Sequence, residues 1–318
     1  MRAARFHTLG DPSVLQVDDV PAPAAPSGDQ LLVRVEASSV NGTDLGLRAG
    51  LDGVGKLATL GRLPAVPGFD LAGEVVRCGP AVTAFRPGDR IMALLPHSGG
   101  GQAEQALVAQ DRAARVPRSV SVAQAAALPL AGLTALQALY GKAGLQARRA
   151  PRVLVNGASG GIGSYAVQLA KIAGAHVTAT ASGAKLAFAR RLGADEVVDY
   201  AEHDVTRSGE RWDVVLDAPG RLAFADVRPV LAEDGVLVTT RGVSPDILRV
   251  LTPGPLRRGP RFAAIFTGAS SQDLAHLAEL VDTGRLRPML DRTFALDEIV
   301  DAHRYAEGGV RGKVVVTI

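Results

Sequence analysis

Cysteine is almost absent: Cys78 is the only one in 318 residues. A single thiol excludes an internal disulfide and any metal site built on several cysteines, and it fits a reducing compartment. Aromatic residues are also scarce, at 4%, with one tryptophan. Lysine is confined to Lys56, Lys142, Lys171, Lys185 and Lys313, so dispersed arginines carry most of the positive charge. The net charge is only +3, and the one basic concentration, Arg257, Arg258 and Arg261, lies in a stretch rich in proline and glycine. A solvated loop accounts for that concentration, and no nucleic-acid partner is expected. Long apolar runs are missing as well. The most apolar stretch, 123–140, is interrupted by Gln124, Pro129 and Gln137 and is short for a bilayer span, so buried helix is expected there. The first residues lack the apolar core of a secretory signal, so a cytoplasmic protein without membrane association is expected.

What is present is 47% apolar residues in a chain longer than one hydrophobic core usually serves, so two domains are expected. Over the first 120 residues, apolar and polar positions alternate between frequent turns. Strands are predicted at 31–37 and 73–77, and the turn Pro87-Gly88-Asp89 leads into another at 91–95. Near residue 120 the pattern changes. Alanine-rich helical stretches now alternate with short apolar strands, the signature of βαβ units and a parallel sheet. Strands are predicted at 152–155, 176–180, 196–198, 213–216 and 236–238, with helices at 162–173 and 185–192. The tail adds a helix over 273–283 and a strand over 313–316. The fold class is therefore α/β, a mostly β, barrel-like domain followed by a doubly wound parallel sheet.

The segment from Val153 to Gly163 runs from strand through Gly157, Ser159, Gly160, Gly161 and Ile162 into helix, closing on Gly163. Glycines let a backbone turn tightly and approach a pyrophosphate, and the following helix offers unpaired N–H groups and the positive end of its dipole. The G-x-x-G-x-x-G spacing is looser than the strict dinucleotide pattern, but its place between strand and helix makes a dinucleotide site the expectation. No Lys-Ser or Lys-Thr pair follows, which excludes a P-loop. An NAD site usually ends the next strand on Asp or Glu, yet 176–194 contains neither. Ser182 and Lys185 stand there instead and would attract a 2′-phosphate, so the expected cofactor is NADPH.

With these residues in hand, the chain resembles the zinc-independent quinone oxidoreductases of the medium-chain dehydrogenase/reductase superfamily. The resemblance rests on Asn41-Gly42-Thr43-Asp44, Pro67 to Val75, Phe85 to Arg90, Ala127-Leu128-Pro129, Leu133-Thr134-Ala135, the glycine turn with Ala166 to Lys171, Leu192 to Asp195, and Arg311 to Val315. It implies a GroES-like catalytic domain over 1–122, completed by 268–318, and a Rossmann NADPH-binding domain over 123–267, with the active site between them. It implies a homodimer. It also implies cofactor roles for Asn41, Thr134, Ser182, Lys185, Tyr200, Phe266, Thr267 and Lys313. Zinc members carry Cys-His where this chain has Asn41-Gly42, and Gly-His-Glu where it has Gly68-Phe69-Asp70, so no metal is expected. Asp44 and Asp70 are expected as capping or turn residues.

The reaction implied is hydride transfer from NADPH to a quinone or an α,β-unsaturated carbonyl, acceptors that delocalise the incoming charge without a Lewis acid. No catalytic residue is assigned; Lys56 and His97 are the nearest candidate proton donors. Gly46 stands where many relatives have a tyrosine, and the glycine-rich stretch 51–64 marks a differently shaped pocket. An enoyl reductase of a biosynthetic pathway and a non-catalytic NADPH-binding protein remain alternatives.

Overall fold

The computed structural model describes residues 1–50, 63–241 and 259–318. They form two compact units, Met1–Leu133 with Ala269–Ile318, and Thr134–Gly268. The strands are β1 (Arg2–Phe6), β2 (Leu15–Asp19), β3 (Gln30–Val40), β4 (Asp70–Cys78), β5 (Arg90–Leu94), β6 (Gln105–Ala109), β7 (Ala113–Arg115), β8 (Arg152–Asn156), β9 (His176–Ala181), β10 (Glu196–Asp199), β11 (Trp212–Asp217), β12 (Leu231–Thr239), β13 (Arg261–Ala264), β14 (Leu290–Ala295) and β15 (Lys313–Thr317). The helices are α1 (Gly42–Ala49), α2 (Val122–Ala126), α3 (Pro129–Leu136), α4 (Gly161–Ile172), α5 (Leu186–Arg191), α6 (Phe224–Val227), α7 (Ser271–Asp282) and α8 (Ile299–Glu307).

In the first unit β3 is the hub. It pairs antiparallel with β4, β6 and β15 in a seven-stranded sheet of order β14-β15-β3-β4-β5-β7, with β6 off that path. Its alternation sends Leu31, Val33 and Val35 inward against Leu71, Val75, Ile91, Leu95 and Val108. Each such side chain contributes roughly 1.5–3 kcal/mol on burial, which fixes the register. That register brings three strand ends together: Ser39 pairs with Asp70 and Val40 with Val314, so Asn41, Asp70 and Lys313 converge.

The second unit is a six-stranded, all-parallel sheet of order β10-β9-β8-β11-β12-β13. Val153, Leu154 and Val155 of β8 are wholly buried, as a central strand covered on both faces requires. Leu154, Trp212, Val215, Phe224, Leu237 and Phe262 form its core. The order reverses between β8 and β11, and ligands of such sheets bind outside the carboxyl ends of the strands at that switch point.

The apolar stretch 123–140 is not one helix. Ser121 and Gln124 form a capping box that starts α2, Pro129 opens α3, and Gln137–Lys142 is π-helical. Proline is tolerated at a first helical turn and nowhere later, so it splits the run. The division between the units falls inside α3, later than residue 122, because α2 packs on β3 and β4.

Candidate functional site

β8 ends on Asn156 and hands the chain to the glycine turn. Gly157 has φ +77°, in the left-handed region, and an added Cβ would lie 2.8 Å from Cδ of Pro219. At Gly163, one turn into α4, an added Cβ would lie 2.2 Å from the Gly157 carbonyl oxygen and 2.7 Å from Cα of Ala158. At Gly163 backbone therefore packs on backbone, and at both positions only glycine fits. Gly160 is the N-cap of α4 and supplies no side-chain bond to the helix. The first-turn N–H groups thus keep their capacity for an anion, beside half-buried Ser159, Gly160, Gly161 and Ile162. These features fit the pyrophosphate of a dinucleotide.

Polar residues at the strand ends hold this turn from below. Thr180 donates to Oδ1 of Asn156 at 2.7 Å and accepts from the Gly157 amide at 3.1 Å. Asn156 donates to Asp217 at 2.9 Å, and the other Asp217 oxygen accepts from the Leu222 amide at 2.8 Å and from Thr239 at 3.1 Å. The carboxyl ends of β8, β9, β11 and β12 are so tied into one network. Sequence reasoning passed over Asn156, Thr180 and Asp217. The signal was a polar residue at or near the carboxyl end of each of these strands.

The end of β9 carries the residues expected at the 2′-substituent. Ser182 and Lys185 are both half-buried, and the Lys185 amide donates to the Ser182 carbonyl at 2.7 Å, closing a 3-10 turn over Gly183–Lys185. Tyr200, just past β10, is 58% exposed. One carboxylate does reach this corner. Asp199 ends β10 opposite Ala181, and its Oδ2 would lie 2.8 Å from a Cβ added to Gly183. Past β13, Phe266 is 67% exposed, and the Thr134 and Thr267 hydroxyls meet at 2.6 Å.

In the first unit a buried polar hub gathers at the converging strand ends. Asp70 accepts from the Asn41 amide at 2.9 Å, from the Leu130 backbone at 2.7 Å and from the Ser39 hydroxyl. Lys313, only 2% exposed, sets its ammonium on Oδ1 of Asn41, 3.5 Å from both Asp70 and the Val40 carbonyl. Burial pushes the Lys313 pKa down, against the pull of Asp70 and Asp44. Asp44 accepts from the Asn41 and Gly68 amides at 2.8 and 2.7 Å, capping α1 and anchoring the Gly68 turn. Burial pushes its pKa up to about 6, although those two bonds oppose the shift. The hub leaves Asn41 locked, with Lys313 spending its donors inside the protein. His97 is exposed and meets Phe69 edge-on at 6.4 Å. Lys56, Arg257, Arg258 and most of 51–64 lie outside the described residues.

Comparison with known proteins meets this geometry. The alcohol dehydrogenase GroES-like domain family matches residues 27–118, and the zinc-binding dehydrogenase family matches 192–316. The chain is 33% identical to a chloroplast envelope quinone oxidoreductase homolog of Arabidopsis thaliana, covering 99% of its own length and 98% of that protein. It is also 33% identical to the 2-methylene-furan-3-one reductase of Solanum lycopersicum, over 99% of this chain and 79% of that one. The solved quinone oxidoreductase from Coxiella burnetii superposes with a TM-score of 0.90 at 33% identity, over 100% of this chain and 99% of that one. The chain belongs to the medium-chain dehydrogenase/reductase superfamily. It is an oxidoreductase of that superfamily, with a GroES-like domain and a Rossmann domain.

The superfamily implies a catalytic zinc in many members, and this chain's residues do not fit one. A zinc site needs thiolate, imidazole or carboxylate donors in tetrahedral array. Here Gly42 and Phe69 offer no donor, Asn41 offers an amide, and the ammonium of Lys313 already sits between Asn41 and Asp70. No group of three His, Cys, Asp or Glu able to hold a metal occurs among the described residues. No helix among the described residues is long and apolar enough to cross a membrane.

Proposed function

We propose that this superfamily member is an NADPH-dependent reductase that transfers hydride to a quinone or an α,β-unsaturated carbonyl without zinc. The observation that carries the reading is the uncapped N-terminus of α4, packed on a turn that only glycines at 157 and 163 allow. Bound there, the dinucleotide supplies a hydride from C4 of its nicotinamide. The chain's own residues do the positioning. The first turn of α4 would hold the pyrophosphate, and the network of Asn156, Thr180 and Asp217 ties the glycine turn to the strand ends. Ser182 and Lys185 would meet the 2′-phosphate, Tyr200 the adenosine end, and Thr134, Phe266 and Thr267 the nicotinamide end. Lys313 orients Asn41, whose Oδ1 keeps one lone pair for a ligand hydroxyl.

The acceptor class follows from the donor set. With no ligands for a Lewis acid, the substrate must itself delocalise charge onto oxygen, as quinones and enones do. A quinone oxidoreductase and an enone reductase among the relatives support that choice. The proposed working form is a cytoplasmic homodimer, which sedimentation and cell fractionation would check. The deciding assay mixes purified protein with NADPH and a panel of quinones, enones and enoyl thioesters, with and without chelator. Chelator-resistant turnover on quinones or enones is expected. Turnover on enoyl thioesters alone would move the substrate class, chelator-sensitive turnover would overturn the zinc-free reading, and NADPH binding with no turnover would indicate a non-catalytic binder. Lys185→Ala is expected to weaken NADPH far more than NADH; equal losses on both would overturn the 2′-phosphate assignment.

A further inference from the structure

Dinucleotide folds that prefer NAD place a carboxylate at the end of the second strand, where it accepts a hydrogen bond from the adenosine ribose 2′-hydroxyl and repels a 2′-phosphate. Strand β9 supplies none. Its neighbour does. Parallel pairing in register sets Asp199 of β10 opposite Ala181, the last residue of β9. From there the side chain leans over the turn that follows β9. Its Oδ2 stands so near Gly183 that any side chain at 183 would begin 2.8 Å from it. The other oxygen, Oδ1, accepts from the Ala201 amide at 2.9 Å and pins the carboxylate in place. No hydrogen bond to Oδ2 occurs among the described residues. The turn over Gly183–Lys185 thus ends on a cation, Lys185, and has an anion of the neighbouring strand, Asp199, against its first residue.

We infer that Asp199 is a cofactor-specificity residue, supplied from the adjacent strand, which lets this protein take NADH as well as NADPH by opposing Lys185. The 2′-hydroxyl of NADH gains an acceptor in Oδ2. The 2′-phosphate of NADPH gains Lys185 and Ser182 but meets a like charge. This inference rests on the dinucleotide reading of the glycine turn.

The test is Asp199→Asn in the full chain, with dissociation constants for NADPH and NADH measured on wild type and variant. Asparagine keeps an acceptor for the Ala201 amide, so the turn survives and only the charge is lost. The ratio of the NADH to the NADPH dissociation constant is expected to rise about tenfold, the size of one unit charge acting across a few ångströms of partly solvated protein. Asp199→Ser, which also caps such a turn, must move the ratio the same way. A ratio within twofold of wild type in both variants would overturn the inference. If Lys185→Ala still weakened NADPH selectively, the NADPH reading would survive that result. A wild type that binds NADH alone, with the ratio still rising in Asp199→Asn, would sink the NADPH preference and uphold Asp199. Loss of binding to both dinucleotides in the wild type would overturn both readings.

Discussion

Two neighbouring glycines of the turn make a sharp pair of perturbations, because one is closed to a methyl group and the other is open. At Gly163 the methyl of alanine would fall 2.2 Å from the Gly157 carbonyl oxygen and 2.7 Å from Cα of Ala158. Ordinary contact begins near 3.4 Å, and both obstacles are backbone, so no rotamer relieves the overlap. Helix α4 must move off the turn. Overpacking of this kind costs roughly 1–3 kcal/mol, and the rigid neighbours place Gly163→Ala at the upper end. At Gly160 the nearest atom to an added Cβ is the Gly157 oxygen at 3.6 Å, an ordinary contact. Gly160→Ala should therefore leave stability within about 0.5 kcal/mol of wild type. Its methyl nevertheless stands at the N-cap of α4, where the proposed pyrophosphate would approach. Urea denaturation and NADPH titration by fluorescence separate the two effects. Gly163→Ala is expected to lose both stability and binding, and Gly160→Ala to lose binding by tenfold or more while staying folded. A Gly160→Ala protein that binds NADPH like wild type would refute the phosphate-cradle argument, and a Gly163→Ala protein as stable as wild type would refute the packing argument.

The buried hub makes two further predictions. Lys313→Met leaves the carboxylate of Asp70 buried without its cation, and breaking such a pair costs about 3–5 kcal/mol. Adding Asp70→Asn should recover part of that loss, and a urea-measured loss below about 1 kcal/mol for the single variant would refute the pairing. Asp44 gives a pH signature of the opposite sign to most carboxylates. Its pKa in the folded chain is about 6 against an ordinary 3.8, so between those values the folded state holds more protons than the unfolded one. Stability from this group is full below that window and falls as pH rises through it, by about 3 kcal/mol. The wild type should lose about 2.4 kcal/mol of that relative to Asp44→Asn between pH 4 and pH 7, and a difference that stays flat with pH would rule the shift out.

How much of this was legible in the sequence depended on how local each feature is. The glycine turn could be read because strand, turn and helix are contiguous from Val153 to Ile172, and the spacing of the glycines carries the constraint by itself. The strands of the parallel sheet were legible for the same reason, as short apolar runs between helices. The apolar stretch at 123–140 was harder, since periodicity does not show that Pro129 restarts a helix rather than kinking one. Lys313 was expected at the cofactor. Its place on Asn41, 272 residues away, depends on β15 pairing with β3, and no local pattern encodes that pairing.

The corner proposed to meet the 2′-substituent shows the division most clearly. The sequence alone determined that β9 would end without a carboxylate and that Ser182 and Lys185 would follow it, because those are facts of order along the chain. Only the tertiary structure decided that a carboxylate stands there after all. Parallel strands place residues side by side that lie a whole helix apart in sequence, and so Asp199 reaches Gly183 across β10 and β9.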